Sequence, residues 1–204
     1  MIKTLLFGLF FCNFFVCLSQ KGNYTALVGK DLKRSAVKSG MITYELSGDV
    51  DGTEIYYFDE WGWLEKTIRN YTYSKYGISS EEKRVELRNG DFLFRGNFKT
   101  GKGSMRKKEL ESSMLRYKSR EEVYRTILES RNGIIIGEEY VLERLCTVWE
   151  FPRGLIQRIW IYDGFILKRE QRIATLNVIS TAIGIEFDQE YTNEDFYVPE
   201  IEWQ

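Results

Sequence analysis

From Ser39 to Leu64 the chain reads SGMITYELSGDVDGTEIYYFDEWGWL, and its period of two constrains the fold more than any other feature. Ile42, Tyr44 and Leu46 alternate with Thr43, Glu45 and Ser47, the pattern of a strand with one buried face. Gly48–Gly52 supplies turn residues, and Thr53–Phe58 is a second run rich in β-branched and aromatic side chains. Asp59 to Gly62 turns the chain again into Trp63 and Leu64. Two such runs around a Gly/Asp loop read as an antiparallel hairpin.

The rest of the chain repeats this idiom. Trp63–Tyr73 continues as a strand, and Ser74–Glu82, with Gly77, reads as a polar loop. Val85 and Leu87 alternate with charges before Asn89-Gly90, and Phe92 and Phe94 follow on one face. Asn-Gly suits a two-residue type I′ turn, whose central residues both need positive φ. Lys99–Ser104 is a glycine-rich turn without the spacing of a phosphate loop. Beyond Gly133, strands are expected in Gly133–Glu143, Leu145–Phe151, Leu155–Tyr162 and Phe165–Glu170, the last two joined at Asp163-Gly164. Ile173–Phe187, long and β-branched, reads as a central strand, and Asn193–Val198 closes on Pro199. Gln20–Lys38 is weakly patterned and reads as an extended lead-in or a short helix.

One stretch, Ser104–Asn132, changes period. Leu110, Met114 and Tyr117 fall at helical spacing, and Ser119 with Glu122 forms a capping-box pattern. Val123, Tyr124, Ile127 and Leu128 make one apolar stripe, and Asn132-Gly133 stops the helix. The fold class is therefore α+β: an antiparallel sheet with a helical insertion laid on one face. Lys99, Lys102, Arg106, Lys107, Lys108, Arg116, Lys118 and Arg120 make this region basic, whereas Glu186–Gln204 is acidic and has no basic residue. A solvated face turned toward the acidic tail accounts for this; steering of an anionic headgroup is the sharper reading.

Met1–Ser19 reads as a secretory signal peptide. Lys3 is followed by an apolar run from Leu5 to Leu18 that is too short to span a bilayer, with small residues before Gln20. The expected organisation is a leader over residues 1–19 and a single domain over 20–204, exported to the periplasm or beyond, with no transmembrane segment once the leader is removed. With 29 Lys and Arg against 30 Asp and Glu the net charge is −1, and no nucleic-acid partner is expected. Cys146 is alone outside the leader, so no intramolecular disulfide forms there; a small buried hydrophobe is its expected role. There is no histidine. That removes His-based nucleophile systems and His-ligated zinc. No catalytic residue, metal or cofactor is expected. Asp59 beside Glu60 would be the nearest approach to paired carboxylates.

The order SGMITYELSG, GTEIYYFDEWG and NGDFLF, then a helix, then LCTVWEF, IWIYDGFILKRE and DFYVP, resembles an uncharacterised family of exported Bacteroidetes proteins. That family is similar to the lipoprotein-carrier (LolA/LolB-like) superfamily. The resemblance implies a strongly curved antiparallel sheet, an unclosed half-barrel, with helices over its concave face. It also implies a non-catalytic carrier of lipid or of a lipoprotein acyl chain. Cavity candidates are Ile42, Tyr44, Leu46, Tyr57, Phe92, Phe94, Trp149 and Trp160, although large aromatics usually build cores. The alternative is an interaction protein of the cell envelope that uses the same sheet as a scaffold for a protein partner.

Overall fold

The computed structural model describes residues 33–75, 78–108, 110–115, 118–198 and 201–203, all within one compact unit spanning 31–204. The expected leader, and the lead-in as far as residue 32, lie outside the described residues. The elements run β1 (Gly40–Gly48), β2 (Val50–Asp59), a 3-10 turn (Glu60–Gly62), β3 (Leu64–Lys75), β4 (Ile78–Asn89), β5 (Phe92–Asn97) and β6 (Lys102–Lys107). Helices α1 (Leu110–Leu115) and α2 (Arg120–Glu129) follow, then β7 (Ile134–Val141), β8 (Arg144–Glu150), β9 (Ile156–Tyr162), β10 (Phe165–Ile173), β11 (Leu176–Phe187), a 3-10 turn (Asn193–Phe196) and β12 (Glu202–Trp203).

All twelve strands join one sheet in the order β12-β6-β5-β4-β3-β2-β1-β11-β10-β9-β8-β7. Two meanders, β1–β6 and β7–β11, are fused where β1 pairs with β11. Every described pairing is antiparallel except β12 on β6. The two edges, β7 and β12, do not pair with each other, so the sheet is unclosed. The link from β6 to β7 must pass from one edge region to the opposite edge, and it carries both helices. Among the described residues no helix is long and apolar enough to cross a membrane.

The face carrying Tyr44 is concave. Phe58 of β2 and Phe165 of β10 have ring centroids 5.0 Å apart, and Arg169 of β10 meets Glu54 of β2 at 3.1 Å. In a flat sheet these strands would stand three spacings, about 14 Å, apart. Gly40 of β1 lies under this crossing. A Cβ there would come within 2.8 Å of the Phe58 ring, so only glycine lets the ring reach over.

The core has several centres. Ile42, Tyr44 and Phe58 cluster with Cys146, Val148, Trp160, Phe165, Leu167 and Ala182. Trp149, Phe151 and Ile159 pack with Leu128 of α2 in a second cluster. Val148 pairs with Trp160 and Trp149 with Ile159, so β8 and β9 bury apolar side chains on both faces. Each large apolar side chain so buried contributes about 2–3 kcal/mol. Cys146 is wholly buried in the first cluster, the environment of an inert thiol.

The helical segment is shorter than its sequence pattern. Residues 104–107, expected to open the helix, extend β6 instead, paired to β5 from Phe92↔Lys107 to Arg95↔Ser104. Ladder hydrogen bonds outweigh helix propensity there. The capping box is present: Ser119 Oγ accepts from the Glu122 amide at 3.2 Å and the Glu122 carboxylate accepts from the Ser119 amide at 2.8 Å.

Some hairpins differ from expectation. The turn read over Gly48–Gly52 is tighter, since β2 starts at Val50 and Gly52 already pairs with Leu46. The stretch read as the loop Ser74–Glu82 is mostly strand, since β3 and β4 pair continuously from Leu64↔Asn89 to Lys75↔Ile78. Its polar composition reflects a charged sheet face rather than a loop. The Asn89-Gly90 turn is shifted by one residue. Asn89 pairs with Phe92, leaving Gly90 and Asp91 as the turn, and of these only Gly90 has positive φ. The type I′ signature appears elsewhere, at Asp163 (φ 47) and Gly164 (φ 86), between the paired Tyr162 and Phe165.

The C-terminal segment seals the outer face of β3–β6. Gly96 and Gly103 are register partners and leave a bare strip on which Ile201 and Trp203 lie. A Cβ on Gly103 would run into the Trp203 ring. Phe94 meets that ring edge-on at 5.5 Å, and Val198 and Ile201 pack on Val85 and Ile68. Glu202 falls opposite Lys102, so the acidic tail does face the basic strand.

Candidate functional site

One transverse row of the sheet organises the concave face. Tyr44 pairs with Glu54, Glu54 with Arg69, Arg69 with Arg84, Arg84 with Asn97, and Asn97 with Lys102. Because side chains alternate along each strand, direct cross-strand partners share a face. A line of charge therefore crosses the inside of the β1–β6 half. The neighbouring row repeats it with Thr67, Glu86, Arg95 and Ser104.

Glu54 is the centre of this row and is only 4% exposed. Its carboxylate accepts from Arg69 Nε and, at 3.1 Å, from Arg169 Nη2. Burial pushes this carboxyl up, but Arg169 and Arg69 outweigh it and hold it below the usual carboxylate range. Tyr44 sits beside Glu54 with its hydroxyl donating to the Ile166 carbonyl at 2.9 Å. Burial, and then the Glu54 charge, push its phenol far above the ordinary value, so it stays a neutral donor. Tyr56 is held up in the same way by burial and by Glu65. Arg88 pairs with Glu65 at 2.9 Å and Arg95 with Glu86 at 2.5 Å, so the outlying carboxylates carry their own cations.

Three hollows adjoin one another, the first two on this face. The first, about 500 Å³, is polar and lined by Thr67, Arg69, Arg84, Glu86, Arg95, Asn97, Lys102 and Ser104. The second, about 240 Å³, shares Thr67, Arg69 and Glu86 with it and adds Tyr44, Glu54, Tyr56, Phe165, Ile166, Arg169 and Ser180. Tyr124 of α2 and Gly164 also line the second, and both recur in a third hollow of about 250 Å³, where Leu128, Ile135, Trp149 and Ile161 supply apolar wall. The run thus leads from a cationic trough to a hollow whose apolar wall is flanked by Arg120, Glu121, Arg125 and Asp163. Tyr124 is fixed at the junction by its hydroxyl, which donates to the Arg34 carbonyl at 2.8 Å. Arg34 is itself stacked on Trp63 and donates to the Gly90 carbonyl.

The eight cavity candidates are distributed unevenly. Tyr44 lines the middle hollow and Trp149 the apolar one. Ile42 is fully buried beneath Tyr44 in the main core, together with Trp160, whose indole N–H donates to Glu139 at 2.7 Å. Leu46 belongs to a separate cluster with Val50 and Val178. Tyr57 falls on the opposite parity to Tyr56 and meets Tyr191 edge-on at 6.1 Å. Phe94 lies against Trp203, and Phe92 is half-buried at the start of β5. Sequence reasoning passed over Glu54, Arg69, Arg169 and Ser180. A signal existed for the first: Glu54 shares strand parity with Tyr56 and Phe58, so a carboxylate was aimed inward with the aromatics. Arg169 and Ser180 come from distant strands and carry no such mark.

Among the described residues no cluster of ligating side chains suits a metal ion. Asp59 and Glu60 form no carboxylate pair; Asp59 Oδ1 accepts from the Glu60 amide at 2.7 Å.

These features define a large unclosed antiparallel half-barrel with an inward-facing charged row. No family model and no curated protein matches the sequence. Among 28 solved chains that match is an uncharacterized conserved protein from Thermus thermophilus, with a TM-score of 0.52 and 7% identity over 89% of this chain and 98% of that one. At that identity the likeness speaks for the fold alone.

Proposed function

We propose that this protein is an exported, non-catalytic binding or carrier protein for an amphiphilic, lipid-like ligand, akin to the lipoprotein-carrier superfamily. The observation that carries the reading is the run of three adjoining hollows, cationic at one end and walled in part by Leu128, Trp149 and Ile161 at the other. An acyl portion would occupy the apolar hollow beside Leu128, Trp149 and Ile161, and a polar headgroup the cationic trough around Arg69, Arg84 and Arg95. In this reading α2 acts as a lid, with Tyr124 closing over the junction. Only the polar hollow falls inside the roughly 300–1,000 Å³ usual for a ligand site, so the ligand would have to span more than one. Each buried CH₂ adds about 0.8 kcal/mol, and the chemistry needs no histidine, metal or reactive thiol. The test is native mass spectrometry of the purified protein with organic extraction. The expected result is a stoichiometric amphiphile. An empty protein that also takes up neither a neutral nor an acidic fluorescent alkyl probe would overturn the reading.

A scaffold function in the cell envelope has one observation in its favour. Edge strand β7 presents Ile134, Ile135, Ile136 and Tyr140 to solvent, with Leu142 and Leu145 beyond, and it has a strand neighbour on one side only. An open apolar edge invites strand addition by a partner. Loss of envelope co-purification on Ile134→Lys, with ligand binding intact, would favour it.

A further inference from the structure

Arg169 and Ser180 stand directly opposite each other in the β10–β11 ladder, which places their Cβ atoms about 5 Å apart on the same face. Both line the middle hollow. Ser180 is 1% exposed, yet its Oγ has no hydrogen-bond partner, and neither does the buried Nε of Arg169. Each such atom costs the full desolvation of a polar group unless something completes it. Both are able to donate, so the missing partner is an acceptor. The charge balance gives its sign. Glu54 is the one carboxylate shared by two guanidiniums, Arg69 and Arg169. Glu65 and Glu86, which also border the hollow, are paired outward to Arg88 and Arg95. With those partners counted, four guanidiniums stand to three carboxylates around the hollow.

We propose that the middle hollow binds the carboxylate of a monoanionic amphiphile, a free fatty acid in class, with Ser180 Oγ and Arg169 Nε donating to its oxygens. This rests on the reading of the protein as an amphiphile carrier and names the headgroup. The carboxylate would neutralise the excess charge and satisfy both orphaned donors at once. Its chain would run past Ile166 and Tyr124 toward the apolar hollow. A phosphate monoester brings up to two negative charges to a site with one to spare, next to Glu54.

The experiment is calorimetric titration of the delipidated protein with dodecanoate, dodecanol and dodecyl phosphate at neutral pH. Dodecanoate is expected to bind about ten-fold or more tighter than dodecanol, the value of a charge-assisted hydrogen bond. Ser180→Ala should lose most of that preference. Its melting temperature should hold or rise, because an unpaired buried hydroxyl has been removed. Arg169→Lys keeps the charge on Glu54 but lacks Nε; it should lose the preference too, and it decides the matter if Ser180→Ala does not fold. Equal binding of dodecanoate and dodecanol overturns the carboxylate site while sparing the carrier reading. Tighter binding of dodecyl phosphate overturns it in favour of a phosphate headgroup. Failure of all three ligands to bind overturns both proposals.

Discussion

The two meanders use the same sheet in opposite ways. In β8 and β9 apolar side chains are buried on both faces: Cys146, Val148 and Trp160 enter one cluster, and Trp149 and Ile159 enter another with Leu128. In β3–β6 the outer face packs Ile68, Val85 and Phe94 under Val198, Ile201 and Trp203, while the inner face from β2 onward carries Glu54, Arg69, Arg84, Glu86 and Arg95. A sheet face becomes core only where something covers it. The helix and the bend of the sheet cover the second meander on both sides, whereas the tail covers the first on one side. The uncovered side is where polar side chains are tolerated and where a ligand has room.

Mutations should separate the two halves, and the largest effect belongs to the doubly covered one. Trp160→Ala should cost about 4 kcal/mol in urea unfolding, since it opens a cavity in the main core and removes the hydrogen bond to Glu139. A loss below 1 kcal/mol would mean that this half is not packed on both faces. Glu54→Gln should cost about 3 kcal/mol, because it leaves Arg69 and Arg169 buried without their anion.

The same carboxylate makes a pH prediction. Its native pKa lies below the unfolded value, so its contribution is fully present above about pH 4.5. That contribution is lost as pH falls through the lower native pKa. Urea midpoints measured from pH 6 downward should fall in the wild type and fall less in Glu54→Gln; parallel curves would show that the charged row adds nothing to folding.

Smaller effects probe the cover on the first meander. Gly103→Val should cost about 2 kcal/mol by forcing Trp203 off its strip, with a change in tryptophan emission as the ring meets water. Ser119→Ala removes the capping hydroxyl of α2 and should cost about 1 kcal/mol, read as a lower thermal midpoint. The exposed Arg158–Glu150 pair at 3.0 Å should be worth under about 0.5 kcal/mol, and Arg158→Ala should leave the urea midpoint unchanged within error. A loss of 1 kcal/mol or more there would show that surface pairs hold the second meander as firmly as its buried clusters do.

Much of the sheet was legible because hairpins are local. The β1–β2 pairing, the turn at Asp163-Gly164, the central place of β11 and the capping box at Ser119 each follow from a few adjacent residues. The strand at residues 78–82 was not legible. Its Glu82 accepts from Asn97 of β5, which comes near only after pairing, and alternation of burial, the signal that marks a strand, is weak where both faces are partly wet. The site was harder still. Tyr44 was marked by its aromatic ring on an inward parity, yet what gives it a role is Arg169, 125 positions downstream in sequence.

By itself the sequence determined the local alphabet: period-two runs that must pair, glycines and aspartates that must turn, and a chain with neither histidine nor a second cysteine beyond residue 19 with which to build a common catalytic or zinc site. Only the tertiary structure decided which faces are covered. The pairing of β1 with β11 bends the sheet enough for Arg169 to reach Glu54, and the tail lies on the glycine strip of β5 and β6. Both depend on contacts between residues far apart in the chain, which no window of adjacent residues encodes. They turn an ordinary alternation of Glu and Arg into a charged row, buried at Glu54, that ends on two unpaired donors.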